Sequence, residues 1–150
     1  MILRTLPLAA LLFPLLVPVS AAQSGGLVWT DVHGGPYIDY GYGVRAAPDG
    51  TIWSMARVAP TEHERETLIR RFDPHGTLLS SESQALASGI VATQDLVLDG
   101  AGGAFVGGWR RSSASAPSYA MLTRVNDAGQ ALWTRFFGSS NWDQVHALAP

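Results

Sequence analysis

Residues 67–79 read TLIRRFDPHGTLL and residues 120–132 read AMLTRVNDAGQAL. Laid over one another, they match Ile69 with Leu122, Arg71 with Arg124, Phe72 with Val125, Asp73 with Asn126 and Gly76 with Gly129, every pair 53 residues apart. Each stretch is a β-rich run, then four residues with Asp or Asn first and Gly last, then a second β-rich run. An Asx side chain bonds the backbone of such a turn and glycine takes its left-handed exit, so each stretch predicts a hairpin. Outward from these hairpins, APDGTIWSMARVA (47–59) aligns with DGAGGAFVGGWRR (99–111), Gly50 on Gly103, Ile52 on Phe105 and Trp53 on Val106, again 53 apart. LVWTDV (27–32) aligns with ALWTRF (131–136), Trp29 on Trp133, at 104. The same separation pairs Asp39 with Asp143 and Val44 with Leu148, so YIDYGYGVRAAP (37–48) runs in step with NWDQVHALAP (141–150).

A unit of about 50 residues therefore recurs, and within it four short β runs are separated by turns. An inner run (44–47, 95–98, 145–149) meets an Asp-Gly or Gly-Gly turn, which supplies the positive φ of a tight hairpin. The second run covers 51–57 or 103–109, the third 67–72 or 119–125, and the fourth 77–82 or 130–136. Four antiparallel strands per 50 residues is the pattern of a propeller blade. The expected fold is all-β: a partial β-propeller of about two four-stranded antiparallel blades plus the first strand of a third. Its bounds are a leading strand near 27–32, blade one near 42–83, blade two near 94–136 and the start of blade three near 144–150. No stretch after the signal region keeps apolar residues at helical spacing without a nearby Gly or Pro. A β-sandwich, which also strings short strands between turns, is the competing fold.

The first 22 residues have a different character. Arg4 precedes an uncharged apolar run from Leu6 to Val19, and VSAAQ places small residues where a signal peptidase reads them. Pro7, Pro14 and Pro18 interrupt a run already too short to span a bilayer. Residues 1–22 are expected to be a helical signal peptide and 23–150 an incomplete propeller domain, secreted or periplasmic, with no membrane span after cleavage. No cysteine is present, which excludes both a lipid-anchored cysteine and a disulfide framework. Beyond Ala22 the chain carries nine basic residues, all Arg, and twelve acidic ones, a charge of −3 that argues against nucleic acid as a partner.

The order of an Asp, a short inner strand, GGAFVGGW (102–109), LTRVNDAGQALWTRFFG (122–138) and a new Asp resembles the secreted bacterial β-propeller repeat of the SBBP type, from about Gly26 onward. The first unit, with PDGTIW and IRRFDPHG, is also similar to repeats of the streptogramin lyase family. The pre-strand Asp is absent from the second unit, where Ala92 or Thr93 stands in a loop longer by two. The resemblance implies a fold more than an activity. A ring needs at least four blades, so the expected chain is the front of a longer protein. Its open edges would then be available to pair with another chain.

In a propeller the loops entering the inner strands crowd one end of the channel. Asp39, Tyr42, Trp142, Asp143 and His146 are the candidate binding residues there, offering rings and carboxylates to a protein or carbohydrate ligand. For Asp39 and Asp143 the simpler reading, that they bond backbone amides of the turn, is preferred. Trp29 and Trp133 are expected to fill the space between blades, with Trp53 and Trp109 also in the core. TEHERE (61–66) has the residue types of a metal site but reads as a solvated loop, and the four histidines share no ligand spacing. No metal, cofactor or catalytic residue is assigned. The expected function is a non-enzymatic binding or scaffolding module. The alternative is the front of an exported propeller enzyme similar to the streptogramin lyases, with its catalytic groups in other blades.

Overall fold

The computed structural model describes residues 29–62, 65–139 and 141–149; the expected signal peptide lies outside them. Eight strands make two antiparallel sheets, each a meander in chain order. The first holds β1 (Tyr40–Ala46), β2 (Ile52–Val58), β3 (Glu66–Phe72) and β4 (Leu78–Gln84). The second holds β5 (Ile90–Leu98), β6 (Ala104–Arg111), β7 (Tyr119–Val125) and β8 (Ala131–Phe137). No described residue is helical.

The turns follow from their side chains. Asp73 Oδ1 accepts hydrogen bonds from His75 N and Thr77 N, both at 2.8 Å, and Asn126 Oδ1 accepts from Ala128 N at 3.1 Å and Gln130 N at 2.9 Å. Gly76 and Gly129 close these turns at φ 89° and 91°, a region that side-chain-bearing residues avoid.

The carboxyls of Asp49, Asp73 and Asp99 are all held below the usual range. For Asp49 the cause is the amide and hydroxyl of Thr51, and for Asp73 chiefly the amide of Thr77. At Asp99 burial pulls upward, but the amides of Ala101 and Gly103 and the Arg124 guanidinium outweigh it. Each group binds its proton more readily in the unfolded chain, so its contribution is complete above the ordinary value of 3.8 and is lost as pH falls through the lower folded value. Urea unfolding midpoints should therefore drop as pH falls below about 4, and Asp73→Asn should flatten that drop.

The ladders correct the register of the first two strands. Ala47 N donates to Thr51 O and Asp99 N to Gly103 O, so Gly50 corresponds to Gly102, both with positive φ, rather than to Gly103. Ile52 then corresponds to Ala104 and Trp53 to Phe105, 52 residues apart. The glycines at 100, 102 and 103 leave the alignment ambiguous by sequence, and hydrogen bonding resolves it. One extra residue between β6 and β7 restores the separation of 53 in the last two strands, as expected there. Ala92 and Thr93 are not in a loop: β5 starts at Ile90 and pairs with β6 along its length, with Val91, Ala92 and Thr93 buried. Both inner strands carry a bulge at the same place, Tyr42 in β1 and Gln94 in β5.

The core lies between the sheets. Trp53, Met55 and Ile69 of the first meet Val91, Leu96, Ala104, Val106, Met121 and Val125 of the second, with Leu86 from the connection. Because Trp53 corresponds to Phe105, while Ala104 corresponds to Ile52, the two sheets bury opposite faces against each other. Alternation along a strand puts those residues on opposite sides. Arg45 of β1 pairs with the buried Asp95 of β5, and Gln84 reaches the turn beside β8 through Gly129 O at 2.6 Å and Ala131 N at 3.2 Å.

The outer faces are crossed by irregular chain. Residues 29–32, expected within a leading strand, form no strand among those described; Trp29 stacks on Phe72 at 5.4 Å and Asp31 accepts from Arg70. Residues 144–149 lie along the second sheet, through Val145 N to Gly108 O at 3.1 Å and Leu148 N to Asp95 Oδ2 at 2.8 Å, but lack a ladder partner and are not a strand. Val145 and Leu148 fill the space over Gly107, where an added Cβ would meet Val145 Cγ1 at 2.6 Å. Gly107→Val should therefore lift 144–149 off the sheet, seen as faster amide exchange at Val145 and Leu148 with β6 still protected. Trp133 is not core: it is 38% exposed on the outermost strand, beside Phe105 at 6.0 Å. Trp109 is half-buried, and only Trp53 meets the core expectation fully.

Candidate functional site

The turns at 47–51 and 98–103 line one cavity between the sheets, so the opposite ends of β1, β2, β5 and β6 also share a side. At that end Tyr40 pairs with Arg57 and Ile90 with Arg111 across the ladders. Each sheet stacks a guanidinium near two rings. Arg57 Cζ is 4.7 Å from the Tyr40 ring centroid and 5.7 Å from that of Tyr42. Arg111 Cζ is 5.1 Å from Trp109 and 5.7 Å from Trp142. The bulge turns Tyr42 out of strict alternation, and it also packs against the core. A cation over a ring face is favourable by about 0.5–1 kcal/mol at exposed sites. Nε of both Arg57 and Arg111 is buried without an acceptor, so neither cation is fully satisfied by the protein.

Asp39 and Asp143 brace the loops beside these stacks in the same way. Each carboxylate reaches back four residues to a backbone amide: Asp39 Oδ2 accepts from Gly35 N at 2.6 Å, and Asp143 Oδ2 from Ser139 N at 2.8 Å. Asp39 Oδ1 also accepts from Ala59 N at 2.8 Å, tying the entry of β1 to the exit of β2. The amides of Ala59 and Gly35 hold its carboxyl below the ordinary value, with His33 and Arg65 adding to them against a weaker effect of burial. Asp143 is further fixed through its backbone, N to Ser118 O at 3.0 Å and O from Ser118 Oγ at 3.1 Å. These contacts follow the simpler reading of both acids.

The five residues expected from the sequence thus divide between the sheets, Asp39 and Tyr42 at the first and Trp142 and Asp143 at the second, with His146 exposed beyond them. Tyr42 additionally lines a 460 Å³ cavity on the outer face of the first sheet, with Asp31, His33, Val44, Leu68 and Arg70. The sequence reading placed Tyr40 beside Asp39 and Tyr42 but missed Arg57 and Arg111 and took Trp109 for core. The aromatic–arginine composition of the β2 and β6 ends was the available signal, but strand pairing was needed to bring Arg57 to Tyr40. In the TEHERE segment, Glu66 belongs to β3 and accepts from Ser83 Oγ at 2.5 Å; His63 and Glu64 lie outside the described residues. Among the described residues no group of three or more His, Asp or Glu is placed to hold a metal ion.

Compared with known protein families and with curated proteins, the chain matches none.

Proposed function

We propose that this chain is an exported, non-enzymatic module of the β-propeller type, similar to SBBP repeats, that binds a protein or carbohydrate partner at the end bearing the two arginine stacks. One observation carries the reading. Successive sheets with the same strand order pack through opposite faces, a mode of stacking that propagates from unit to unit. Arg57 and Arg111 stack on rings at the same end of the two sheets, two residues apart in register, and so add rings and cations that suit sugar faces and peptide carbonyls.

Affinity electrophoresis through gels containing soluble chitosan, xylan or dextran tests it. At least one polymer should retard the protein, and Arg57→Ala or Trp142→Ala should weaken retardation about fivefold, the loss of about 1 kcal/mol. Leu79→Ala, on an exposed strand away from the stacks, should leave it unchanged. Retardation indifferent to both stack substitutions would move binding elsewhere, and no retardation by any polymer would remove carbohydrate as the partner.

A further inference from the structure

The two units differ at one charged position in a way that leaves a cation incomplete. In the second unit Arg124 donates from Nε and Nη2 to Asp99 Oδ2 at 3.0 and 2.8 Å, while Asp99 Oδ1 accepts from Ala101 N and Gly103 N. Arg71 is the counterpart of Arg124, since Trp53 lies opposite Arg71 and Phe105 opposite Arg124. Ala47 is the counterpart of Asp99, because each donates its amide to the carbonyl four residues on. The first unit therefore keeps the guanidinium and lacks the carboxylate.

The consequences are visible around Arg71. It stacks over Trp53 at 5.6 Å, its Nη1 makes a long bond of 3.4 Å to Asp127 O, and its Nε is buried with no acceptor. Asp49 feels the charge of Arg71, but its Oδ1 is taken by Thr51 N at 2.9 Å and Thr51 Oγ at 2.7 Å. Among the described residues the ion pairs are those of Arg45, Arg70 and Arg124, so Asp49 does not close on Arg71. Where a carboxylate would sit by analogy with Asp99, a cavity of about 290 Å³ opens between the sheets, walled by Ala47, Pro48, Asp49, Trp53, Arg71 and Leu98. A cation with a free donor edge, an aromatic face and an apolar wall specify a planar anion with an apolar body.

We infer that this cavity binds a small monocarboxylate, whose carboxylate takes beside Arg71 the place that Asp99 holds beside Arg124 and whose body lies against Trp53 and Leu98. The inference rests on the comparison of the two units and not on the proposed partner surface, which lies at the other end of the sheets. Removing a hydrogen-bonded charge partner of this kind weakens binding about tenfold or more.

Calorimetric titration of the full chain with benzoate, and with benzamide as its neutral counterpart, tests it. Benzoate should bind with saturation and benzamide at least about tenfold more weakly. Ala47→Asp supplies the missing carboxylate in a hairpin that already accommodates it in the second unit. It should raise the melting temperature and abolish benzoate binding. Arg71→Gln, folded by circular dichroism, should also lose binding but without the rise in melting temperature. Absent benzoate binding, equal binding of benzamide, or unchanged benzoate binding in both variants would each overturn the inference.

Discussion

Gly108→Ala is expected to destabilise the second sheet severely. Gly108 is buried on β6, and a Cβ there would run into the carbonyl oxygen of Ala92 and come within 2.9 Å of Thr93 Cα. Both obstacles are backbone of β5, which is paired to β6 on either side of the clash, so neither can rotate away as a side chain would. Relief requires the inner strand to separate from its neighbour. Leu96 and Val106, which lie wholly buried on those two strands, would be disturbed with it. A loss of at least about 3 kcal/mol is expected, a large share of the stability of a domain this size. Gly41→Ala is the matched control: an added Cβ there meets nothing within 4 Å, and the cost should stay within about 0.5 kcal/mol. Urea unfolding followed by tryptophan fluorescence separates them; equal midpoints for the two variants would show that the approach of β5 to β6 is not as described.

Leu96→Ala should cost about 3 kcal/mol and should destabilise both sheets together. Leu96 is fully buried, and the backbone and Cβ of this residue lie against Gly43 of β1, while its side chain belongs to the core shared with Trp53 and Met55. Truncation leaves a cavity at the junction of the sheets, where neither side relaxes without losing contacts with its own neighbours. Because Trp53 belongs to the first sheet and Leu96 to the second, Trp53 fluorescence and amide exchange in β6 should report one transition that shifts by the same amount. Two separated transitions would mean that the sheets fold independently and that the shared core contributes little. Leu79→Ala, 50% exposed on β4, should change the midpoint by only a few tenths of a kcal/mol.

The hairpins were legible because their chemistry is local. Asp73 with Gly76 and Asn126 with Gly129 carry the turn in four residues, and the structure forms both as the spacing implies. The inner strand of the second unit was misjudged because Ala92 and Thr93 carry no turn signal or pre-strand Asp, while their burial comes from β6, distant in sequence. Trp133 illustrates the same limit. Its repetition with Trp29 suggested a core position, but the outermost strand has a neighbour on one edge only, and the ring stays partly in solvent. For the candidate site, Asp39 and Asp143 were found through their shared spacing, whereas Arg57 entered only when antiparallel pairing placed it beside Tyr40, and Arg111, two residues beyond Trp109 on β6, only when the chain after β8 brought Trp142 near it.

By itself the sequence determined an all-β chain of two similar four-stranded units with Asx–Gly turns, since alternation, glycine and Asx chemistry act over a few residues. Only the tertiary structure decided the true register of the first hairpins, the burial of opposite faces between the sheets, and the lack, among the described residues, of an ion pair at Arg71. Each of these depends on which backbone groups and side chains meet across strands, and that pairing is set by packing rather than by any single stretch of chain.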